Sequence, residues 1–191
     1  MQTRQNKGIS DTIKGEIIGA IKGTGTVVNV AVSAVSAVVT NGLRNAGKIG
    51  TSAVSAVFEV VQGTLRGVKE SGGDFGDAGK GILLGVIRGA GQVGVQALDM
   101  IASTAGHVVK ATAELAGDVG AAAKGAVEGA VDGAKEIGMS VEEAASEAAT
   151  GAVKAAYEIS SETGTKVRDA VTGTIAGVKV VVKEPFKAGK K

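Results

Sequence analysis

A five-residue pattern recurs every 22 residues, and this period restricts the fold of the chain more than any other feature of its sequence. The copies begin at residues 19, 41, 63, 85, 107, 129, 151 and 173, and they read GAIKG, NGLRN, GTLRG, GVIRG, HVVKA, GAVDG, GAVKA and GTIAG. The third residue is Ile, Leu or Val in every copy, and the fourth is Lys or Arg in six of the eight. The chain is therefore an array of eight repeats of one structural unit.

The period of 22 residues is twice eleven, and this predicts α-helix. Eleven residues complete three turns at about 3.67 residues per turn, close to the 3.6 of a straight helix. In this frame the apolar residues form one arc about 130° wide, most charged residues lie opposite, and Gly or other small residues lie between them. We therefore predict an all-α fold of long, amphipathic, glycine-rich helices, arranged as antiparallel hairpins or as one extended helix.

The apolar arc is the predicted contact surface. A helix with several glycines is marginal in water, because each Gly costs about 1 kcal/mol relative to Ala. Something apolar, either lipid or another copy of the helix, is therefore expected to cover the arc. The predicted lipid or partner contacts are the third residues of the eight copies: Ile21, Leu43, Leu65, Ile87, Val109, Val131, Val153 and Ile175.

Glycines at four-residue spacing form a second strip along the predicted helices. Residues this small let two helix backbones, or a backbone and a lipid headgroup layer, approach closely. The 31 glycines of the chain also make some such spacings by composition alone, but these triplets keep phase with the aliphatic repeat. The predicted close-packing positions are Gly15, Gly19 and Gly23; Gly81, Gly85 and Gly89; and Gly125, Gly129 and Gly133.

Charge is distributed unevenly around a net value of +2. Residues 1–58 carry six basic and two acidic groups, residues 111–165 carry three basic and ten acidic groups, and residues 166–191 carry seven basic and two acidic groups. Basic ends favour an anionic lipid surface. The side chains predicted to meet headgroups or acidic neighbours are Lys22, Arg44, Arg66, Arg88 and Lys110.

The pattern predicts three segments. Residues 1–9 are expected to be a flexible N-terminus, residues 10–184 the amphipathic repeat region, and residues 185–191 a basic tail that follows the last helix at Pro185. Ser10 or Asp11 is the predicted cap of the first helix. The glycine-rich stretch 71–81 is the predicted turn, with weaker breaks at 40–50 and 160–165, so we expect two to four long antiparallel helices.

Residues 23–43 carry no charge, and their length admits a transmembrane helix. Asn29, Ser33, Ser36 and Asn41 interrupt this stretch, and the same repeat continues on both sides of it. We therefore favour an amphipathic helix here and keep a spanning helix as the alternative.

Composition argues against catalysis and nucleic-acid binding. The chain has no cysteine and a single histidine, His107, whereas a metal site needs several converging ligands. Aromatic residues make up only 2 % of the chain, and the middle is acidic, which disfavours a nucleic-acid surface. No cofactor and no enzymatic activity are predicted. The N-terminus lacks the apolar segment of a signal peptide, which indicates a cytoplasmic protein.

The eleven-residue amphipathic periodicity resembles that of synucleins, exchangeable apolipoproteins and perilipins. The stretches GAAAKGAVEGAVDGAKEIG (120–138) and TVVNVAVSAVSAVVTNG (26–42) are similar to synuclein in texture, although the KTKEGV core of synucleins is absent. The resemblance implies reversible helix formation on lipid surfaces, with membrane bending or droplet coating.

The leading hypothesis from the sequence is a non-enzymatic protein that binds, coats or remodels a lipid surface, as a homo-oligomer located peripherally on a membrane, droplet or granule. The alternative is a self-assembling helical scaffold that forms a filament, tube or shell. A glycine-zipper pore is a further interpretation that depends on residues 23–43.

Overall fold

Each 22-residue repeat folds as one helix with its connection, and the last repeat ends in a short hairpin. The computed structural model describes residues 2–22, 26–46, 51–94 and 98–183. The helices are α1 (Gln2–Lys22), α2 (Val27–Ala46), α3 (Thr51–Ser71), α4 (Phe75–Gly91), α5 (Leu98–Glu114), α6 (Val119–Ile137), α7 (Val141–Ile159) and α8 (Ser161–Val171), and the strands are β1 (Gly173–Ile175) and β2 (Val178–Val180). The all-α prediction is confirmed. The expectation of two to four long helices is wrong, because the described residues contain eight shorter ones.

The helices stack in two layers, with odd-numbered helices in one layer and even-numbered helices in the other. From α1 to α7, each helix packs most extensively on a helix two places away along the chain. Helices of one layer run parallel: Gly81, Gly85 and Gly89 of α4 approach successively later residues of α2, ending at Val39. Short connections reverse the chain between consecutive helices, so the layers run in opposite directions.

The helix boundaries follow from side-chain caps. The side chains of Asp74, Asp118, Ser140 and Ser160 accept hydrogen bonds from backbone N–H groups in the first turns of α4, α6, α7 and α8. Helix α6 ends at Gly138, whose φ of 70° lies in the left-handed region that favours glycine. Two of these capping residues, Asp118 and Ser140, lie outside the breaks predicted from the sequence at 40–50, 71–81 and 160–165.

Two boundary predictions need correction. Helix α1 begins at Gln2, so Ser10 and Asp11 lie inside a helix instead of capping it, and residues 2–9 are helical where a flexible segment was expected. The predicted turn at 71–81 is confined to Gly72–Asp74, because Asp74 caps a helix that already begins at Phe75.

The eighth repeat departs from the helix pattern. Helix α8 has only 11 residues, and β1 and β2 then pair antiparallel across a turn in which Ala176 and Gly177 have φ of 49° and 82°. Positive φ at both central residues is the geometry of a type I′ hairpin. The helical region therefore ends at Val171 and not at residue 184 as predicted; the predicted tail and Pro185 lie outside the described residues.

The core between and within the layers is built from small and aliphatic side chains. Ile, Leu and Val side chains come mainly from α1 to α5, while α6 and α7 contribute mostly Ala and Val. Chains this poor in aromatic residues can reach close packing only if the helix axes approach closely, and the glycines allow that approach.

Candidate functional site

The aliphatic residues predicted to meet lipid are core residues in this fold. In the described part of the chain their exposed fractions are at most 5 %, and the side chain of Ile21 lies outside that part. The buried members are Leu43, Leu65, Ile87, Val109, Val131, Val153 and Ile175. The arc is therefore covered by other repeats of the same chain, and these side chains could reach a lipid surface only if the helices separated.

Two of the three predicted glycine triplets lie at close helix contacts. A Cβ added to Gly81, Gly85 or Gly89 of α4 would lie 2.7 to 2.8 Å from the nearest atom of α2. The triplet of α6, Gly125, Gly129 and Gly133, faces Gly76, Lys80 and Ile87 of α4 in the same way. Distances this short are not found for real Cβ atoms, so each of these positions excludes any larger residue unless the helices move apart.

The third triplet, on α1, is open. Gly15 and Gly19 are exposed, and an added Cβ at either would have no atom within 4 Å; Gly23 lies outside the described residues. Gly63 stands two repeats after Gly19, and a Cβ there would lie 2.5 Å from the Ser10 carbonyl oxygen of α1. Within the odd layer, α3 is thus covered by α1, whereas the equivalent face of α1 is left bare by the described residues.

The outer face of α2, at the same end of the even layer, is also left bare by the described residues. Ala37 and Asn41 precede Gly81 and Gly85 by two repeats, and both are exposed. Ser33 and Asn29, further along this face, are exposed as well, so the outer face of α2 is free of charge from Asn29 to Asn41. We call the exposed faces of α1 and α2 the N-terminal end face of the stack.

Helix α2 is also apolar enough to cross a membrane by length and composition. In the described part of the chain it is the single such helix, with a mean hydropathy of 1.4 over Val27–Arg44, and 44 % of that window is buried. A helix that lines a core passes the same test.

Ion pairs link neighbouring helices of one layer. The pairs are Lys14–Glu70 (2.7 Å), Lys80–Asp132 (2.9 Å), Arg88–Glu136 (2.5 Å) and Lys110–Glu158 (2.5 Å). Of the five basic residues singled out in the sequence, Arg88 and Lys110 therefore have acidic neighbours, and Lys22, Arg44 and Arg66 are exposed. Pairs this exposed contribute about 0–1 kcal/mol each, so their main effect is to fix which turns of the two helices meet.

Arg88 and Glu136 form the most directional of these pairs. The guanidinium donates two parallel hydrogen bonds to the carboxylate, from Nε and Nη2, at 2.5 and 2.6 Å. The hydrogen bonds from Arg88 hold the pKa of Glu136 below its ordinary value, and the carboxylate raises the pKa of Arg88. Both side chains are therefore charged when the pair forms.

The C-terminal end of the stack is closed, unlike the N-terminal end. Strand β2 packs on α7, with Ile175 and Val180 of the hairpin buried. Lys183 holds the end of the described chain against α7, because its backbone N–H donates to Thr150 Oγ1 at 3.0 Å and its ammonium group pairs with Glu147. The exposed face of α8 is polar, with Glu162, Thr165, Lys166 and Asp169 in solvent.

His107 stands where most other copies of the repeat have glycine, and its ring separates α5 from α3. It stacks on Phe58 of α3 with 4.0 Å between ring centroids, and α3 and α5 pack less extensively than α1 with α3 or α5 with α7. Burial lowers the pKa of His107, and its Nε2 is buried without a hydrogen-bond partner. An open cleft of about 400 Å³ lies beside the ring and is also lined by Lys110, Lys154 and Glu158. Across the described ranges, no three His, Asp or Glu side chains converge as metal ligands.

Sequence reasoning missed Ala37, Asn41 and the exposed Asp11 as members of an outer face. The signal was present for the first two, because both share their repeat phase with glycines at close-packing positions. What the sequence did not show was which copies of that position face another helix.

Comparisons with known proteins give a likeness in structure and none in sequence. Neither the protein-family models nor the curated proteins compared with this sequence match it. Among solved structures, the crystal structure of the de novo designed helical repeat protein DHR7 is similar over 88 % of this chain and 91 % of that chain, with a TM-score of 0.49 and 20 % sequence identity.

Proposed function

We propose that this protein is a non-enzymatic structural scaffold, a helical stack that associates with further copies of itself. The observation that supports the proposal is the N-terminal end face, where Gly19 and Ala37 occupy repeat positions that elsewhere in the chain receive a helix. Helical stacks need polar outer faces at both ends to stay monomeric in water. The C-terminal end of the described stack is covered by the hairpin, whereas the N-terminal end face exposes the small residues Gly15, Gly19 and Ala37 between polar ones.

The contact surface for a scaffold differs from the one expected for a lipid binder. A lipid binder needs its aliphatic arc at the surface, and the arc here is used between helices. A scaffold needs a surface that fits another folded stack, and the end face has small residues, Gly15, Gly19 and Ala37, that allow close helix approach. Its cytoplasmic location remains a prediction.

Lipid-surface binding is the second candidate, and the composition of α2 favours it. The helix carries no charge from Val27 to Leu43, and its outer face is open to solvent. In this alternative the end face rests on a membrane or droplet, and the rest of the stack keeps its fold. The predicted partner is then an anionic lipid surface.

Sedimentation with and without lipid separates the two candidates. A scaffold sediments as more than one copy of the 18.7 kDa chain in lipid-free buffer, and it does not float with vesicles of mixed neutral and anionic phospholipid. A lipid binder is monomeric without vesicles and floats with them. A chain that is monomeric in both conditions and does not float would contradict both candidates.

A paired variant shows which surface meets lipid if flotation occurs. Ser33→Asp with Ala37→Asp places charge on exposed positions of α2 and leaves the core intact, so loss of flotation would assign the contact to this face. The matched control is Ser161→Asp with Thr165→Asp on the polar face of α8, which should float as the native chain does.

A further inference from the structure

We infer that the N-terminal end face binds a second copy of itself, with α1 of one copy packed antiparallel on α1 of the other. The inference rests on the proposed scaffold function and names its interface. The occupant is a helix of the same repeat, because the equivalent faces of α3, α4, α6 and α7 each receive one.

The internal contacts define what the end face is built to hold. Gly63 and Gly151 stand two and six repeats after Gly19. Each packs against a backbone carbonyl of the preceding odd helix, that of Ser10 and that of Ala102 respectively. Gly19 offers the same small surface without an occupant among the described residues. Gly19 already lies within a helix, so a second helix can pack on it while the backbone of α1 keeps its conformation.

Charge along α1 makes this face complementary to itself. Asp11, Gly15, Gly19 and Lys22 follow one another at helical spacing on the exposed side of α1, with Ile18 half-buried beside them. When two such helices cross antiparallel near Gly15 and Gly19, Asp11 of each copy lies opposite Lys22 of the other. The two ion pairs are then related by the two-fold axis, as an isologous interface requires.

Head-to-tail stacking is disfavoured by the other end of the molecule. A second copy that continued the parallel stack would have to place its C-terminal end against α1. That end is covered by β2 on α7 and carries the Lys183–Glu147 pair and the charged face of α8. Association through the N-terminal end face of both copies therefore closes the assembly at two chains.

Charge reversal tests the antiparallel arrangement directly. Asp11→Lys places two lysines at each end of its own dimer, and Lys22→Asp places two aspartates there, so each variant alone should dimerise about tenfold more weakly than the native chain. Mixing the two variants restores both opposite-charge pairs, and native mass spectrometry should show a heterodimer in excess of either homodimer. The matched control is Glu16→Lys, which reverses a charge on a neighbouring face of α1 and should leave dimerisation unchanged.

A second variant tests the close approach. Gly19→Leu has space within the folded monomer, so at a concentration where both chains are monomeric its circular dichroism and unfolding midpoint should stay at or above those of the native chain. At a higher concentration, light scattering should report one copy where the native chain gives two. The inference is overturned if the native chain self-associates but the three test variants, Asp11→Lys, Lys22→Asp and Gly19→Leu, associate equally well, or if mixing the reversed pair restores nothing. Both of those results leave the scaffold proposal standing, whereas a monomeric native chain contradicts the proposal itself.

Discussion

Replacing Gly63 by alanine, and separately replacing Gly19 by alanine, makes the same chemical change at equivalent positions two repeats apart. Both residues lie inside helices, where alanine is favoured over glycine by about 1 kcal/mol. They differ in their surroundings, because Gly63 is buried against α1 and Gly19 is exposed. The difference between the two variants therefore isolates the packing contribution of the glycine strip.

The structure gives the size of that contribution. A Cβ on Gly63 would lie 2.5 Å from the Ser10 carbonyl oxygen and 3.0 Å from the Ser10 Cα, and both are backbone atoms that cannot rotate away. Helix α1 must move outward by roughly 1 Å, which loosens the burial of Ile13 and Ile17. Forcing an extra carbon into a packed interface costs about 1–3 kcal/mol.

We therefore expect the Gly19→Ala variant to be more stable than the Gly63→Ala variant by about 1–3 kcal/mol, which is roughly 2–12 °C in the unfolding midpoint for a chain of this size. Gly19→Ala should exceed the native chain, since it gains helix propensity and meets no atom within 4 Å. Gly15→Ala is the matched control, because Gly15 is equally open and should behave like Gly19.

Urea unfolding followed by circular dichroism at 222 nm measures these differences. The protein concentration must be low enough that sedimentation shows a monomer, so that association does not contribute to the apparent stability. Equal stabilisation by Ala at Gly19 and Gly63 would refute the reasoning. It would mean that the four-residue glycine spacing reflects composition and not helix contact.

Two further predictions concern the core and its single histidine. Leu65→Ala should lower the free energy of unfolding by about 2–5 kcal/mol in lipid-free buffer, because Leu65 is fully buried; an unchanged value would return it to the surface strip that the sequence first indicated. Burial lowers the pKa of His107, so below the ordinary value the unfolded chain takes up a proton that the folded chain does not, and stability falls between about pH 7 and pH 5. His107→Phe keeps a ring on Phe58 and should flatten that pH dependence, and an unaltered slope in urea titrations would show that another group is responsible.

Secondary structure was predictable because the information is local. An apolar residue at each pentad's third position, repeated every 22 residues or six helical turns, places Leu65, Ile87 and Val131 on the buried face of their own helices wherever each helix begins or ends. The glycine strip follows from the same phase. These features were therefore readable without knowing how many helices the chain forms.

The number of helices was not predictable from that phase. A connection that keeps the 22-residue spacing leaves the pattern unbroken, so the periodicity reads the same in eight short helices as in one long rod. The true stops are set by single capping residues such as Asp118, Ser140 and Ser160, and residues of these types also occur inside the helices. Glycine gave no sharper signal, because it serves both the packing strip and the turns.

The sequence also predicted that the aliphatic arc must be covered, but it left the cover undefined. Parallel helices two places apart supply it, and this arrangement needs several copies of the repeat in one chain. The amphipathic pattern therefore allowed either lipid or another helix to cover the aliphatic arc. In the described stack, helices of the same chain cover it. Within the described residues, α1 and α2 are the helices whose equivalent face is left uncovered by another repeat.

The two ends of the array show why that remaining face is specific. At the eighth copy the pattern is broken: the basic fourth residue is replaced by Ala176, which with Gly177 forms the hairpin turn, and the hairpin buries Ile175 and Val180. At the first copy the pattern is intact, with Gly19 and Lys22 placed as they are in repeats that receive a helix. Gly19 costs about 1 kcal/mol against Ala at this exposed helical position, and an added Cβ there would meet no atom within 4 Å in the described fold. The retention of that costly residue at an exposed helical position is the physical reason to look for a second helix on α1.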